Sequence, residues 1–172
     1  TITPVASDAN YEVTVETADF SITKAALTVA ANANQTKVYG AAEPTFTYVV
    51  SGLVNGDVTT DLETLSISRN AGEAVGSYTI TPVASDANYE VTVETADFSI
   101  TKAALTVAAN ANQTKVYGAA EPTFTYVVSG LVNGDVTTDL ETLSISRNAG
   151  EAVGSYTITP VASDANYEVT VE

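Results

Sequence analysis

Along most of this chain apolar and polar residues alternate one by one, the signature of strands with one buried face. Leu27 and Val29 alternate with Thr28 and Ala30 in one such run. After the polar stretch 32–35, residues 36–40 predict a short strand stopped by Gly40, and Pro44 holds Glu43 in extended or turn geometry. Residues 45–52 form a strongly β-prone run with Phe46 and Tyr48 on one face. The runs 65–70 and 77–82 alternate again, the second with Tyr78 and Ile80 together, while 71–76 and 83–88 read as loops. In 89–96, Tyr89, Val91 and Val93 point inward and Glu90, Thr92 and Glu94 outward, and 97–102 repeats the pattern with Phe98 and Ile100. Only 53–65 has helical spacing: Asp57 would cap a turn carrying Val58, Asp61 and Leu62. Gly56 and the pair Thr59 and Thr60 limit it to a short helix or a turn. Seven short strands predict a mainly β domain, sandwich or β-grasp-like, with at most one short helix.

The pattern then recurs without change. Thr1–Glu94 is identical to Thr79–Glu172, so the 172-residue chain is two periods of 78 plus sixteen residues of a third. Such a period exceeds the roughly 20–50 residues of solenoid repeats and suits a small domain. The reading is tandem domains: 1–24 is the C-terminal part of a preceding repeat, 25–102 a complete repeat domain, and 103–172 a second repeat lacking its last strand. Across Lys102 the apolar positions switch parity, from Phe98 and Ile100 to Leu105 and Val107, which predicts that one core ends and another begins there. No Gly-, Pro- or Ser-rich spacer intervenes, so the domains are expected head to tail in an elongated rod. For the repeated ends, the leading account is an arbitrary cut through a long run of identical units. The alternatives are a permuted domain, and a strand donated by one molecule to the deficient copy of another. With no Met and no apolar leader, the chain is expected to be a piece of something longer, with any signal or anchor outside it.

Composition narrows the chemistry. The absence of Cys, Met, Trp and His removes disulfides, thiolate nucleophiles, imidazole acid–base chemistry and the usual zinc ligands. Six basic against twenty-one acidic residues give a net charge of −15, which repels nucleic acid and anionic membrane surfaces. No run approaches the roughly 18 apolar residues of a membrane span, so no membrane insertion by this segment is expected. Neighbouring repeats, each acidic, repel one another, although physiological salt screens that beyond about 8 Å.

The segments TKVYGAAEPTFTYVVSGLVNGD, NAGEAVGSYTITP and NYEVTVETADFSITKAALTV resemble the MBG domain of the YGX type, found in tandem arrays in very large bacterial surface proteins and adhesins. The features that match are Tyr39-Gly40, Ser51-Gly52-Leu53 through Gly56-Asp57, Gly76 with Tyr78, Asn88-Tyr89, and Phe98 to Lys102. The resemblance covers the full period. It implies an extracellular, bacterial cell-surface location and a β-rich module that spaces or presents binding domains, and it carries no catalytic residues.

Individual candidates are sparse. Tyr39, with Tyr48, Tyr78 and Tyr89, would either stack on a glycan or pack in the core with its hydroxyl bonded to a loop. Asp86, Asn88 and Glu90 alternate on an extended segment and are the candidate calcium ligands, against a plain role as turn residue and solvated charge. Asp57, Asp61 and Glu63 read as capping and solubilising groups. Lys37 and Lys102 are the candidates for a Lys–Asn isopeptide bond. Carboxylate pairs can run glycosidase chemistry, but small identical copies offer little depth for a cleft, so no enzyme, no catalytic residue and no cofactor is expected. The expected role is a stalk or spacer of a cell-surface adhesin projecting a distal binding domain, with neighbouring repeats as partners. The alternative is a multivalent module binding host or matrix glycans or proteins.

Overall fold

The computed structural model describes residues 1–172. The repeat 25–102 contains β1 (Ala25–Ala31), β2 (Gln35–Val38), β3 (Tyr48–Ser51), β4 (Thr64–Arg69), β5 (Gly76–Ser85), β6 (Tyr89–Glu94) and β7 (Ala96–Thr101). They form two sheets, ordered β3-β1-β6 and β2-β7-β5-β4. The pairs β1–β6 and β2–β7 are parallel, and the others antiparallel. Ala25 therefore lies opposite Tyr89 and Gln35 opposite Phe98, so the first two strands close on the last two. The fold is mainly β with no α-helix, which leaves the two-sheet layout in place of a β-grasp.

The helical spacing of 53–65 yields one 3-10 turn, Thr59–Asp61. Asp57 does not cap it, contrary to the sequence reading. The Asn55-Gly56 turn ends one residue short of the cap position, Val58, whose N–H donates instead to Asp61 Oδ2 at 2.8 Å. Strand β5 also absorbs Val83–Ser85, expected as loop, because these residues pair with Thr64–Ser66. Val93 is exposed rather than inward: β6 is an edge strand, and only its Tyr89 end is covered.

The second repeat contains β8 (Ala103–Ala109), β9 (Tyr126–Ser129), β10 (Thr142–Arg147), β11 (Ile158–Ser163) and β12 (Tyr167–Val171), with a 3-10 turn at Thr137–Asp139. Its first sheet, β12-β8-β9, matches that of the first repeat, but its second is reduced to β10-β11. Residues 113–116, identical to β2, form no strand, and β11 begins at Ile158 although the counterpart of β5's first residue is Gly154. The cause is local: β7 hydrogen-bonds to both β2 and β5, and residues 103–172 hold no counterpart of β7. Residues 1–24 are exposed throughout and carry only an isolated bridge between Ile2 and Ala18.

Between the sheets of the first repeat, Leu27, Leu62 and Tyr89 are buried against Leu65 and Val91. The sequence predicts separate cores on either side of Lys102, and here the structure differs. Tyr39, Ile80, Phe98 and Ile100 form one buried set with Ala103, Leu105, Val107, Leu140 and Tyr167 of the next repeat. Lys102 alone separates β7 from β8, so the two apolar faces are drawn together and share one interior. No helix is long and apolar enough to cross a membrane.

Candidate functional site at the repeat junction

The junction is built from three short elements: the end of β2, the Asn133-Gly134 turn, and the loop leading into β12. Tyr39 follows β2, its N–H held at 2.8 Å by the carbonyl of Thr101 on β7. Gly40 then turns with φ +74°, and a Cβ there would lie 2.5 Å from Val132 Cγ2 of the next repeat. Glycine is thus required twice, for its backbone angle and for the close approach of its neighbour. The turn sends the Tyr39 side chain across the boundary, where it is 5% exposed.

What receives it is preformed. Asn133 and Gly134 both have positive φ, 59° and 82°, the pattern of a type I′ turn, closed by Asp135 N–H donating to Val132 O at 3.0 Å. Tyr39 donates its O–H to Asp135 Oδ2 at 2.9 Å and accepts from Asn133 Nδ2 at 3.0 Å. Tyr167 donates to the same Asp135 Oδ2 at 2.7 Å and accepts the Val132 N–H at 3.0 Å. The two tyrosine rings meet edge to face with centroids 5.5 Å apart. Burial pushes the Tyr39 phenol up, and burial, with the Asp135 carboxylate adding to it, pushes Tyr167 up to about 12. Both phenols therefore stay protonated and act as donors at neutral pH.

Two further ties flank this plug. Val75 N–H donates to Asn166 Oδ1 at 2.9 Å across the boundary. The ammonium of Lys102 donates to the carbonyls of Asp164 and Tyr167, at 3.3 and 3.2 Å, and Ala103 N–H donates to Asn166 O at 3.0 Å. The loop before β12 is shaped for this by Asp164, whose Oδ1 accepts the Asn166 N–H at 2.7 Å.

Beneath the junction lies a charged cluster on the second sheet. Lys37 donates to Glu43 at 2.9 Å and to Glu73 at 2.5 Å, and Arg69 donates to the same two carboxylates. The Arg69 guanidinium lies 4.9 Å from the Tyr78 ring centre and 5.3 Å from that of Phe98. Arg69 holds the Glu43 carboxyl down at about 2, with Lys37 assisting. Lys115, Glu121, Arg147 and Glu151 repeat the arrangement without a Phe98 counterpart over the arginine, and the Lys115 side chain is 20% exposed against 5% for Lys37.

The positions singled out from sequence fall as follows. Asp86 Oδ1 accepts the Asn88 N–H at 2.7 Å in a tight turn, and Glu90 is exposed on β6. Their counterparts Asp164 and Asn166 belong to the junction, which gives this motif a structural use in the second repeat. No group of three or more carboxylates converges with metal-binding geometry. Asp57 accepts the Tyr89 O–H at 2.7 Å, as Asp135 does from Tyr167. Tyr39 does bond a loop, but the loop belongs to the following repeat. Lys37 is held as an ammonium by Glu73 and Glu43, which raise its pKa, and Lys102 contacts carbonyls, so neither is placed as an isopeptide nucleophile.

Comparison with curated proteins and with solved structures returns no match. The family model of the MBG domain (YGX type) matches residues 27–99 and again 105–172. Together these matches take in most of the chain, each spanning one of the two units joined at Lys102. The chain therefore belongs to the MBG domain family of the YGX type, carrying two of its domains in tandem.

Proposed function

We propose that these repeats are a structural stalk or spacer of a bacterial cell-surface adhesin, extending a distal binding domain away from the cell. The observation that carries this reading is the junction: a one-residue connector, Lys102, flanked by the buried Tyr39 plug and the Val75–Asn166 bond. Such a joint removes the slack that would let adjacent domains tumble, so each added copy extends an elongated rod. The acidic surface, net −15, keeps such a rod soluble.

A multivalent glycan- or protein-binding module would expose the same aromatic side chain in every repeat. The exposed aromatics are Tyr11, Phe20 and Tyr117, and their counterparts Tyr89, Phe98 and Tyr39 are buried. No exposed aromatic platform recurs with the repeat, which favours the spacer. Small-angle scattering of chains with two, four and six repeats tests the proposal. The expected maximum dimension grows in proportion to copy number, and a dimension growing as the cube root of mass overturns it.

A further inference from the structure

We infer that Asn133-Gly134 is a modification site, where spontaneous deamidation after the repeats part keeps them from docking again. Each period of 78 residues contains five asparagines, and only one of them, Asn133 in the second repeat, precedes a glycine. That one lies in the turn that receives Tyr39. Asparagine before glycine is the pairing most prone to this reaction, because glycine has no Cβ to obstruct its own nitrogen.

The chemistry needs only water. The Gly134 nitrogen bonds to Asn133 Cγ, the Cγ–Nδ2 bond breaks, and the glycine's proton leaves with the ammonia released. The succinimide ring so formed then takes up water at one of its two carbonyls. Opening at Cγ leaves an aspartate, and opening at the main-chain carbonyl leaves an isoaspartate, whose main chain runs through Cγ and is one carbon longer. The turn supplies the conditions. Asn133 and Gly134 are exposed to water. A Cβ on Gly134 would meet nothing within 4 Å, so the ring has room to form. The Gly134 N–H donates to no main-chain acceptor, since the turn is closed one residue later, by Asp135.

One bond stands against the reaction. Asn133 Nδ2 donates to the Tyr39 hydroxyl at 3.0 Å, so the closed junction holds the amide toward the first repeat. Attack requires the amide to swing back over Gly134, which breaks that bond. The closed junction protects Asn133, and a local opening releases it.

Conversion then removes what the junction is built on. Tyr39 accepts from Asn133 Nδ2 and gives its single proton to Asp135 Oδ2 at 2.9 Å. A carboxylate at position 133 has no N–H to offer, and the phenol has no second proton for it. The isoaspartate also lengthens a turn that has no slack. Its Asp135 N–H and Val132 O are 3.0 Å apart, and Val132 Cγ2 lies 2.5 Å from where a Gly40 Cβ would stand.

Peptide mapping of the chain after ageing in warm, mildly alkaline buffer tests this. Trypsin releases residues 38–69 and 116–147, which are identical in sequence, so the measurement uses an Asn55→Gly chain. Gly-Gly suits the same turn and makes the two fragments distinct in mass. The expected result is that fragment 116–147 slowly gains the mass of an amide turned acid and becomes a substrate for isoaspartyl methyltransferase. Tyr39→Phe is expected to speed this about fivefold or more, in step with the hydroxyl bonds it loses. Val50→Ala, which weakens the interior of the first repeat away from the junction, is expected to leave the rate unchanged. The aged chain should unfold at lower urea than the fresh one, whereas Asn133→Gly, which cannot form the ring, should unfold alike before and after ageing. The inference is overturned by an Asn133 that stays intact with and without the Tyr39 hydroxyl, or by equal rates in the two chains. A rise in Val50→Ala matching that in Tyr39→Phe overturns it too, as does an aged chain that unfolds like the fresh one or an equal shift in Asn133→Gly.

Discussion

Tyr39 and Tyr117 are the same residue in identical local sequences, one 5% exposed and the other 73%, so the molecule contains its own control. Replacing Tyr39 by Phe keeps the ring against Tyr167 and removes only the hydroxyl. Asn133 Nδ2 loses an acceptor, and Asp135 Oδ2 keeps one of its two phenol donors. Each lost bond is worth about 0.5–1.5 kcal/mol, somewhat more where the acceptor is charged, so the expected cost is about 1–3 kcal/mol. That corresponds to about a 5- to 150-fold loss of coupling between the repeats. Tyr117→Phe, whose hydroxyl has no partner, is expected to cost about 0.5 kcal/mol or less. Urea unfolding followed by circular dichroism measures both. A cycle with Asp135→Asn isolates the Tyr39–Asp135 interaction. Equal destabilisation by the two tyrosine variants, or additivity of Tyr39→Phe with Asp135→Asn, would refute the junction as the place where the repeats are locked.

The charged clusters predict sensitivity to acid. Glu43 and Glu121 titrate at about 2 in the folded chain against an ordinary 4.5, so they bind fewer protons folded than unfolded. Their contribution is complete above 4.5 and is lost as pH falls toward 2, which melting temperatures measured between pH 5 and pH 2 should follow; no loss across that window would contradict the ion pairs. Tyr167 has the opposite sign: raised to about 12 from 10.0, it contributes fully below pH 10 and is lost as pH rises to 12. Ultraviolet titration of the phenols against Tyr167→Phe checks this. Gly118→Ala, with φ +78° and open space around it, should cost only the left-handed backbone term, about 1–2 kcal/mol. Gly40→Ala meets Val132 as well and should cost more in the same denaturation experiment; equal costs would place Val132 elsewhere.

The strands were largely legible, because alternation such as Leu27, Val29 and Phe98, Ile100 reports a half-buried pleat directly. The β5 extension through Val83–Ser85 was not, since its pairing with Thr64–Ser66 is set by a neighbour rather than by local pattern. Asp57 misled for a related reason: an Asp before a helical spacing looks like a cap, and only the three-dimensional position of Tyr89 shows where its carboxylate goes. The junction was legible least of all. When copies are identical, a contact of Tyr39 with Asp135 cannot be told in sequence from one with Asp57, because both carboxylates sit in the same context. Tyr39 was visible as a marked residue, and the partner loop type was foreseeable. Which copy supplied that loop was not.

The direction of the strand pairs bears on how a repeat would carry load. Tension enters at the start of β1 and leaves at the end of β7, and these strands are held by the parallel ladders β1–β6 and β2–β7. Parallel partners pulled from opposite ends slide along each other, so all the rungs of a ladder resist together, where an antiparallel hairpin pulled at its open end unzips one rung at a time. Forced unfolding is governed by the barrier to rupture rather than by equilibrium stability. A modest domain loaded in shear can thus outlast a more stable one loaded in peeling.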